Sequence, residues 1–166
     1  MVGHLDSHDD LDLFGALHLV SGRLTTGLVE RPTQSQRQRA AKSRYLQEAF
    51  ARHLRAIARA YPAERHGRVV IVVDKAAWHK GALITQVLAD HAHLELYPLP
   101  SYSPKLHVIE RFWKLLRRRA THNRLFETMA KLKQALRSSL CYYQTLKHRV
   151  LTLIASRRKR TKLSAA

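Results

Sequence analysis

The chain has 166 residues, 45% of them hydrophobic, so it can bury the core of one ordinary domain. Its formal net charge of +18 predicts a polyanionic partner, and nucleic acid is favoured over a membrane because no amphipathic or lipidation signal accompanies the charge. The single cysteine, Cys141, excludes an internal disulfide and a cysteine-based zinc site, and its neighbours predict a packed helix position. With no secretory signal and no apolar run of membrane-span length, we expect a cytoplasmic protein without a membrane partner.

The positive charge is concentrated in the last third of the sequence. From Arg111 to Ala166 there are 16 Lys and Arg residues against one acid, Glu127, whereas the preceding residues carry a net charge of only +3. Such asymmetry predicts an interaction surface rather than a requirement of the fold.

The first half of the chain reads as a hairpin, a long helix and a strand. Two β-leaning runs, LFGALHLV and RLTTGLVE, flank Ser21-Gly22, a tight-turn signal. Apolar residues recur at helical spacing from Gln34 to Tyr61, and Pro62 ends that helix. The run RVVIVVD then predicts a strand, and its uninterrupted Val/Ile content predicts burial on both faces.

The second half continues with a helix from Gly81 to His91, an inner strand LELYPLP and a turn SYSPKL with two prolines. The next helix carries apolar residues at 3–4 spacing, which predicts one buried face made of Ile109, Trp113, Leu116 and Ala120. A last helix is predicted from Phe126 to Tyr143, before a basic tail, SRRKRTKLSAA. The order β-β-α-β-α-β-α-α predicts a mixed α/β layer around one sheet.

Two acids stand out by their positions. Asp74 follows the Val-rich strand, and Glu110 opens the helix after the next strand. Because ligands of open α/β sheets bind beyond the carboxyl ends of the strands, neighbouring strands bring such acids together. Paired carboxylates suit hard cations, Mg²⁺ or Mn²⁺, and a metal pair can activate a water or a 3′-hydroxyl for phosphodiester chemistry. The basic side chains around them would hold a DNA backbone, with a histidine beside them: Lys75, His79, Lys80, Arg111, Lys114, Arg117, Arg118 and Arg119.

Simpler interpretations remain open at this point. Asp74 is also placed to cap the next helix or to pair with Lys75 or Lys80. Glu110 is equally an i,i+4 partner of Lys114 at a helix N-terminus. The two tryptophans, Trp78 and Trp113, are expected in the core rather than stacked on bases.

Two segments resemble the second half of a mariner-type insertion-sequence transposase of the DDE superfamily: VVIVVDKAAWHKG and LELYPLPSYSPKLHVIERFWKLLRRRATHNRLF. A third segment, LFGALHLVSGRL, is similar to that family's Phe-Gly-Ala strand and turn. The resemblance implies a ribonuclease-H-like, integrase-type mixed sheet flanked by helices. It also implies that Asp74 and Glu110 are the second and third catalytic acids, both metal ligands. A divalent pair of Mg²⁺ or Mn²⁺, and DNA as transposon ends and target, follow from the same resemblance.

The sequence departs from the family pattern in three places. Lys75 replaces an Asn, and His107-Val108 replaces an Asn-Pro. The residues before Phe14 do not read as a hydrophobic strand, so the first strand and the first acid are expected to be missing. Asp6, Asp9, Asp10 and Asp12 are poor substitutes because nothing is expected to bury or orient them.

The domain assignment and the function follow from that expectation. We expect a lead over residues 1–10, a truncated DDE catalytic domain over 11–145 and a basic C-terminal segment over 146–166. The predicted function is that of a transposase DDE-domain fragment, which in the intact family cleaves and transfers DNA strands; whether this chain is an active enzyme stays open. The alternative is a catalytically inactive DNA-binding remnant that acts as a passive or regulatory partner of a full-length transposase. Besides DNA, the expected partners are a second copy of the chain or the missing N-terminal half as a separate chain. A general basic RNA-binding protein is a third, less favoured hypothesis.

Overall fold

The computed structural model describes residues 2–7, 11–30, 39–100 and 108–152, with only the backbone described for 2–7 and 39–43. The strands are β1 Val2–Ser7, β2 Leu11–Leu17, β3 Leu24–Glu30, β4 Val69–Val73 and β5 Leu94–Pro98. The helices are α1 Arg39–Ala60, α2 Ala63–His66, α3 Ala82–Asp90, α4 Ile109–Ala120 and α5 Met129–Thr145, with a 3₁₀ turn at Ala77–His79. The predicted turn at SYSPKL and the basic tail lie outside the described residues.

Strand β1 corrects one expectation from the sequence. It pairs antiparallel with β2 over its whole length, with Val2 opposite Ala16 and Ser7 opposite Leu11, so a strand does precede the Phe-Gly-Ala strand. The segment VGHLDS carries little apolar alternation, so its side chains did not predict a strand. The backbone hydrogen bonds to β2 stabilise the strand instead. Strands β2 and β3 are hydrogen-bonded neighbours, which confirms the predicted hairpin.

Strands β4 and β5 form a parallel pair, with Ile71 opposite Leu96 and Val73 opposite Pro98. The described strands thus form two hydrogen-bonded sheets, β1-β2-β3 and β4-β5, rather than the single sheet expected from the sequence, and β1 contacts β4. The expected burial of β4 on both faces is wrong, because Ile71 and Val73 are buried while Val70 is 51% exposed. A strand side chain is buried only when an element covers its face, and the apolar run alone does not specify that cover.

The described residues divide into two compact units, 1–16 with 25–107, and 17–24 with 108–166. In the first unit, α1 packs on the 3₁₀ turn and on α3. Its core contains aromatic and aliphatic side chains that are almost completely buried, among them Phe14, Phe50, Leu54, Ile71, Ile84 and Val87.

In the second unit, α4 packs against α5. The predicted apolar face of α4 is confirmed, since Ile109, Trp113, Leu116 and Ala120 are all buried, together with Phe112. The turn of the hairpin belongs to this unit too, and the α5 side chain Gln144 donates a hydrogen bond to the Leu24 carbonyl. Cys141 is exposed, so the packed position expected for it is wrong.

Among the described helices, none combines the length and the apolar character that crossing a membrane requires. The boundaries predicted for the domain and for the flanking segments stay a prediction.

Candidate active site

Asp74 comes directly after β4, at the carboxyl end of a strand, as predicted. Its Oδ1 accepts a hydrogen bond from the Ala76 backbone N–H at 3.0 Å, so the carboxylate is anchored to the turn that follows the strand. The side chain remains about half exposed, at 53%. Asp74 is therefore an oriented carboxylate that solvent and ligands can reach.

His79 is the second anchor of Asp74. Its Nδ1 lies 3.0 Å from Asp74 Oδ1 and 2.9 Å from the Asp74 carbonyl oxygen. Both of these atoms are acceptors, so the contact is a hydrogen bond only when Nδ1 carries the proton and donates it. The histidine thus fixes both the side chain and the backbone of Asp74 from within the turn.

The His79 ring is held in place by aromatic packing. Its side chain is only 4% exposed, and the ring lies 4.4 Å from the Phe50 ring and 3.9 Å from that of Trp78, centroid to centroid. Trp78 in turn makes edge contacts at 5.4 Å with Phe14 and with Phe50. A side chain this buried offers DNA little surface, and the DNA contact expected for His79 stays a prediction. Helix α1 and strand β2 thereby brace the turn that carries the acid.

Two lysines flank the same turn. Lys75 and Lys80 are both exposed, next to Asp74 and at the end of the 3₁₀ turn respectively. The Lys80 carbonyl accepts a hydrogen bond from the Gln47 side chain of α1, which ties this end of the turn to the helix as well. Their positions suit contacts with a phosphate backbone.

Glu110 lies in the first turn of α4 and is exposed. Four basic side chains on the same helix are exposed beyond it, Lys114, Arg117, Arg118 and Arg119, and Arg111 is half-buried. A negative charge at the N-terminus and positive charges at the C-terminus of a helix both interact favourably with the helix dipole. The predicted arrangement of one acid followed by a cationic face is therefore present. Asp74 and Glu110 belong to different units, and their pairing stays a prediction.

A further acid is placed in a way that sequence reasoning missed. Asp12 is fully buried on β2, so the expectation that nothing buries it is wrong. Its register partner across the ladder is Asp6 on β1, the strand that contacts β4. The pairing of β1 with β2 places these two acids opposite each other. The polar segment SHDDLD did not predict that pairing.

The donor chemistry of these acids fits a hard divalent cation, because carboxylate oxygens are the ligands that Mg²⁺ and Mn²⁺ prefer. Asp74, with one oxygen oriented by two donors and the side chain half exposed, is suited to hold such an ion. Among the side chains that the structure describes, no three His, Cys, Asp or Glu residues form a group able to hold a metal.

Comparison with known families decides the assignment. Residues 27–133 match the family model of the DDE superfamily endonuclease, which covers more than half of the chain. The chain belongs to the DDE superfamily of endonucleases. The matched segment includes both Asp74 and Glu110, and it confirms the resemblance drawn from the sequence motifs.

The DDE-superfamily chain is also similar to solved structures. The catalytic domain of Mos1 mariner transposase matches with a TM-score of 0.59 and 17% identity, over 94% of this chain and 79% of that one. A chain of the simian T-cell lymphotropic virus intasome, solved in complex with the PP2A regulatory subunit B56 gamma, matches with a TM-score of 0.52 and 15% identity. That match covers 82% of this chain but only 45% of the viral chain. These similarities confirm the ribonuclease-H-like mixed α/β fold. No curated protein matches the sequence.

Proposed function

We propose that this DDE-superfamily domain cleaves and transfers DNA strands by divalent-metal-dependent phosphodiester chemistry, as part of a transposase. The observation that carries the proposal is Asp74, a half-exposed carboxylate at the end of β4 that His79 and the Ala76 N–H hold in one orientation. Asp74 and Glu110 would hold Mg²⁺ or Mn²⁺, which when bound activates the attacking oxygen and stabilises the leaving one. The exposed Lys and Arg side chains of α4 would position the DNA backbone beside them.

Asp6 is the candidate for a third carboxylate. Its backbone lies in β1, which contacts the strand that ends at Asp74, and its register partner is the buried Asp12. We expect Asp6→Asn to abolish strand cleavage as completely as a substitution of Asp74 does.

A nicking assay on supercoiled plasmid, with Mg²⁺ or Mn²⁺ against EDTA, tests the proposal. The wild-type chain is expected to nick only with metal, and Asp74→Asn is expected to reduce the rate at least about a hundredfold, since it removes one metal ligand. Asp90→Asn is the matched control, because Asp90 is an exposed acid at the end of α3 in the same unit. Nicking that survives Asp74→Asn would remove Asp74 from the chemistry.

A second candidate function rests on the cationic surface of α4 and α5, namely a chain that binds DNA without cutting it. It predicts that DNA binding is strong and strongly salt-dependent, with no metal-dependent nicking by the wild type. In that case the chain would act by competing for DNA or by joining the oligomer of a full-length transposase. The same assay, run beside a binding titration, separates the two functions.

A further inference from the structure

A cavity of about 600 Å³ opens at the far end of α4 from Glu110. It lies within the second unit, between the end of α4, the following loop and α5. Three cationic and three neutral polar side chains line it: Arg119, Arg124, Lys131, Gln134, Ser138 and Ser139. Ala135 completes the lining. The polar side chains supply positive charge and hydrogen-bond donors, which is the chemistry that recognises a phosphate group.

One arginine of this lining, Arg119, packs against an aromatic ring. The Arg119 guanidinium carbon lies 3.6 Å from the centroid of the Tyr142 ring, and the Tyr142 hydroxyl accepts a hydrogen bond from Arg149 at 2.9 Å. A guanidinium that packs on a ring face can still donate hydrogen bonds, and its planar N–H pairs suit the oxygens of a phosphate. The contact with Tyr142 restrains Arg119 at the wall of the cavity.

The other two cations reach the cavity from the loop and from the start of α5. Asn123 adopts a positive φ of 55°, and Arg124 follows it, with its N–H bonded to the Thr121 carbonyl at 3.2 Å. Lys131 pairs with Glu127 one helical turn before it, but both side chains are exposed. An exposed i,i+4 pair contributes little, so a phosphate can replace the Glu127 carboxylate as the partner of Lys131.

We propose that this cavity is a phosphodiester-binding subsite for DNA, separate from the carboxylates. The inference rests on the proposed function, because it takes DNA as the ligand. At 1.5 Å rise per residue, Arg119 lies about 13 Å along α4 from Glu110, which corresponds to about four base-pair steps of a duplex lying along the helix. The subsite therefore binds the DNA backbone away from the cleaved bond and fixes the register of the DNA on the domain.

Equilibrium binding tests the subsite in the absence of metal. A fluorescein-labelled DNA duplex is titrated with the full chain between about 50 and 200 mM salt, using the wild type and the triple variant R119Q/R124Q/K131Q. We expect the affinity of the variant to fall at least about tenfold at the lower salt concentration, and the slope of log K against log salt to shrink by about one unit or more. The variant R52Q/R59Q/R65Q removes the same charge from exposed positions of the first unit and is expected to change affinity less than about threefold.

A second variant keeps the test independent of the triple substitution. Ser138→Asp places a carboxylate at the exposed rim of the cavity and is expected to weaken binding while circular dichroism and thermal melting stay close to the wild type. Equal losses in the cavity and control variants, or an unchanged slope in the triple variant, would overturn the subsite and leave the proposed function intact. A wild type that fails to bind the duplex would overturn both.

Discussion

At the residue scale, Asp74 is a half-exposed carboxylate that His79 and the Ala76 backbone N–H hold in one orientation. Asp74 was predicted from its position after a buried strand, and its place at the end of β4 agrees. The role of His79 was not predictable, because its hydrogen bonds to Asp74 depend on the path of the turn between them. Asp12 was likewise dismissed, since a polar neighbourhood in the sequence gives no sign that strand pairing will bury a carboxylate.

The support that His79 gives to Asp74 predicts a separation of stability from activity. In His79→Leu the core keeps an apolar group of similar size and loses a buried Nε2 that has no partner among the described residues. We therefore expect the free energy of unfolding to change by no more than about 1 kcal/mol, while plasmid nicking falls at least about tenfold. His93→Leu, which also removes a buried Nε2 but lies away from Asp74, is expected to leave nicking unchanged. A large loss of stability with normal nicking would contradict this role.

His53 predicts a specific dependence of stability on pH. The ring is buried on α1, and burial lowers the pKa of His53 from its ordinary 6.5 to about 4. Between these two values the unfolded chain binds a proton that the folded chain does not, so the free energy of unfolding falls as the pH drops from about 6.5 to about 4. The expected loss from this residue is about 3 kcal/mol.

Denaturant unfolding at a series of pH values checks the contribution of His53. His53→Leu is expected to flatten the curve in this interval, whereas His122→Leu, at an exposed position, is expected to keep it. A curve of the same steepness in His53→Leu and in the wild type would assign the acid sensitivity to other groups.

At the element scale, the buried face of α4 and the local β2–β3 hairpin were predictable, whereas the pairing of β1 was not. The apolar spacing of α4 identified its buried face, because a 3.6-residue period leaves little choice of which side faces the core. Strand β1 was not predicted, because it forms through its hydrogen bonds to β2 and its own composition does not indicate a strand. The exposed Val70 shows the same limit, since an apolar strand is buried only where a neighbouring element covers it.

The hairpin turn predicts a large effect from a single methyl group. Gly22 has a φ of +69°, and a Cβ added there would lie 2.8 Å from the Lys147 carbonyl oxygen and 3.1 Å from the Leu151 side chain. Gly22→Ala therefore adds backbone strain to a steric clash, and we expect it to lower the free energy of unfolding by about 2–4 kcal/mol. Gly27→Ala is the control, because a Cβ there meets only His53 Nδ1, at 3.9 Å. Thermal melting that ranks the two variants in the opposite order would refute this account of the turn.

At the scale of the whole molecule, the charge distribution favours a polyanionic partner. The basic third of the chain contains α4 and α5, whose exposed cations lie in the same unit as Glu110. Asp74 belongs to the other unit, and the pairing of the two acids stays a prediction. Composition predicted the polyanionic partner, and the motif around Glu110 predicted the family. Neither could predict which cations line a cavity, because that depends on how α4, its loop and α5 pack.

A double-mutant cycle of Mn²⁺-dependent nicking rates tests most directly the proposal that Asp74 and Glu110 act on one metal site. If the two acids share a site, Asp74→Asn, Glu110→Gln and the double variant all lose about the same activity, at least about a hundredfold, because either substitution disables the whole site. Glu64→Gln, an exposed acid in the first turn of α2, serves as the control and is expected to keep the wild-type rate. Losses that multiply in the double variant would mean that the two carboxylates act independently, and the account of the active site would then be wrong.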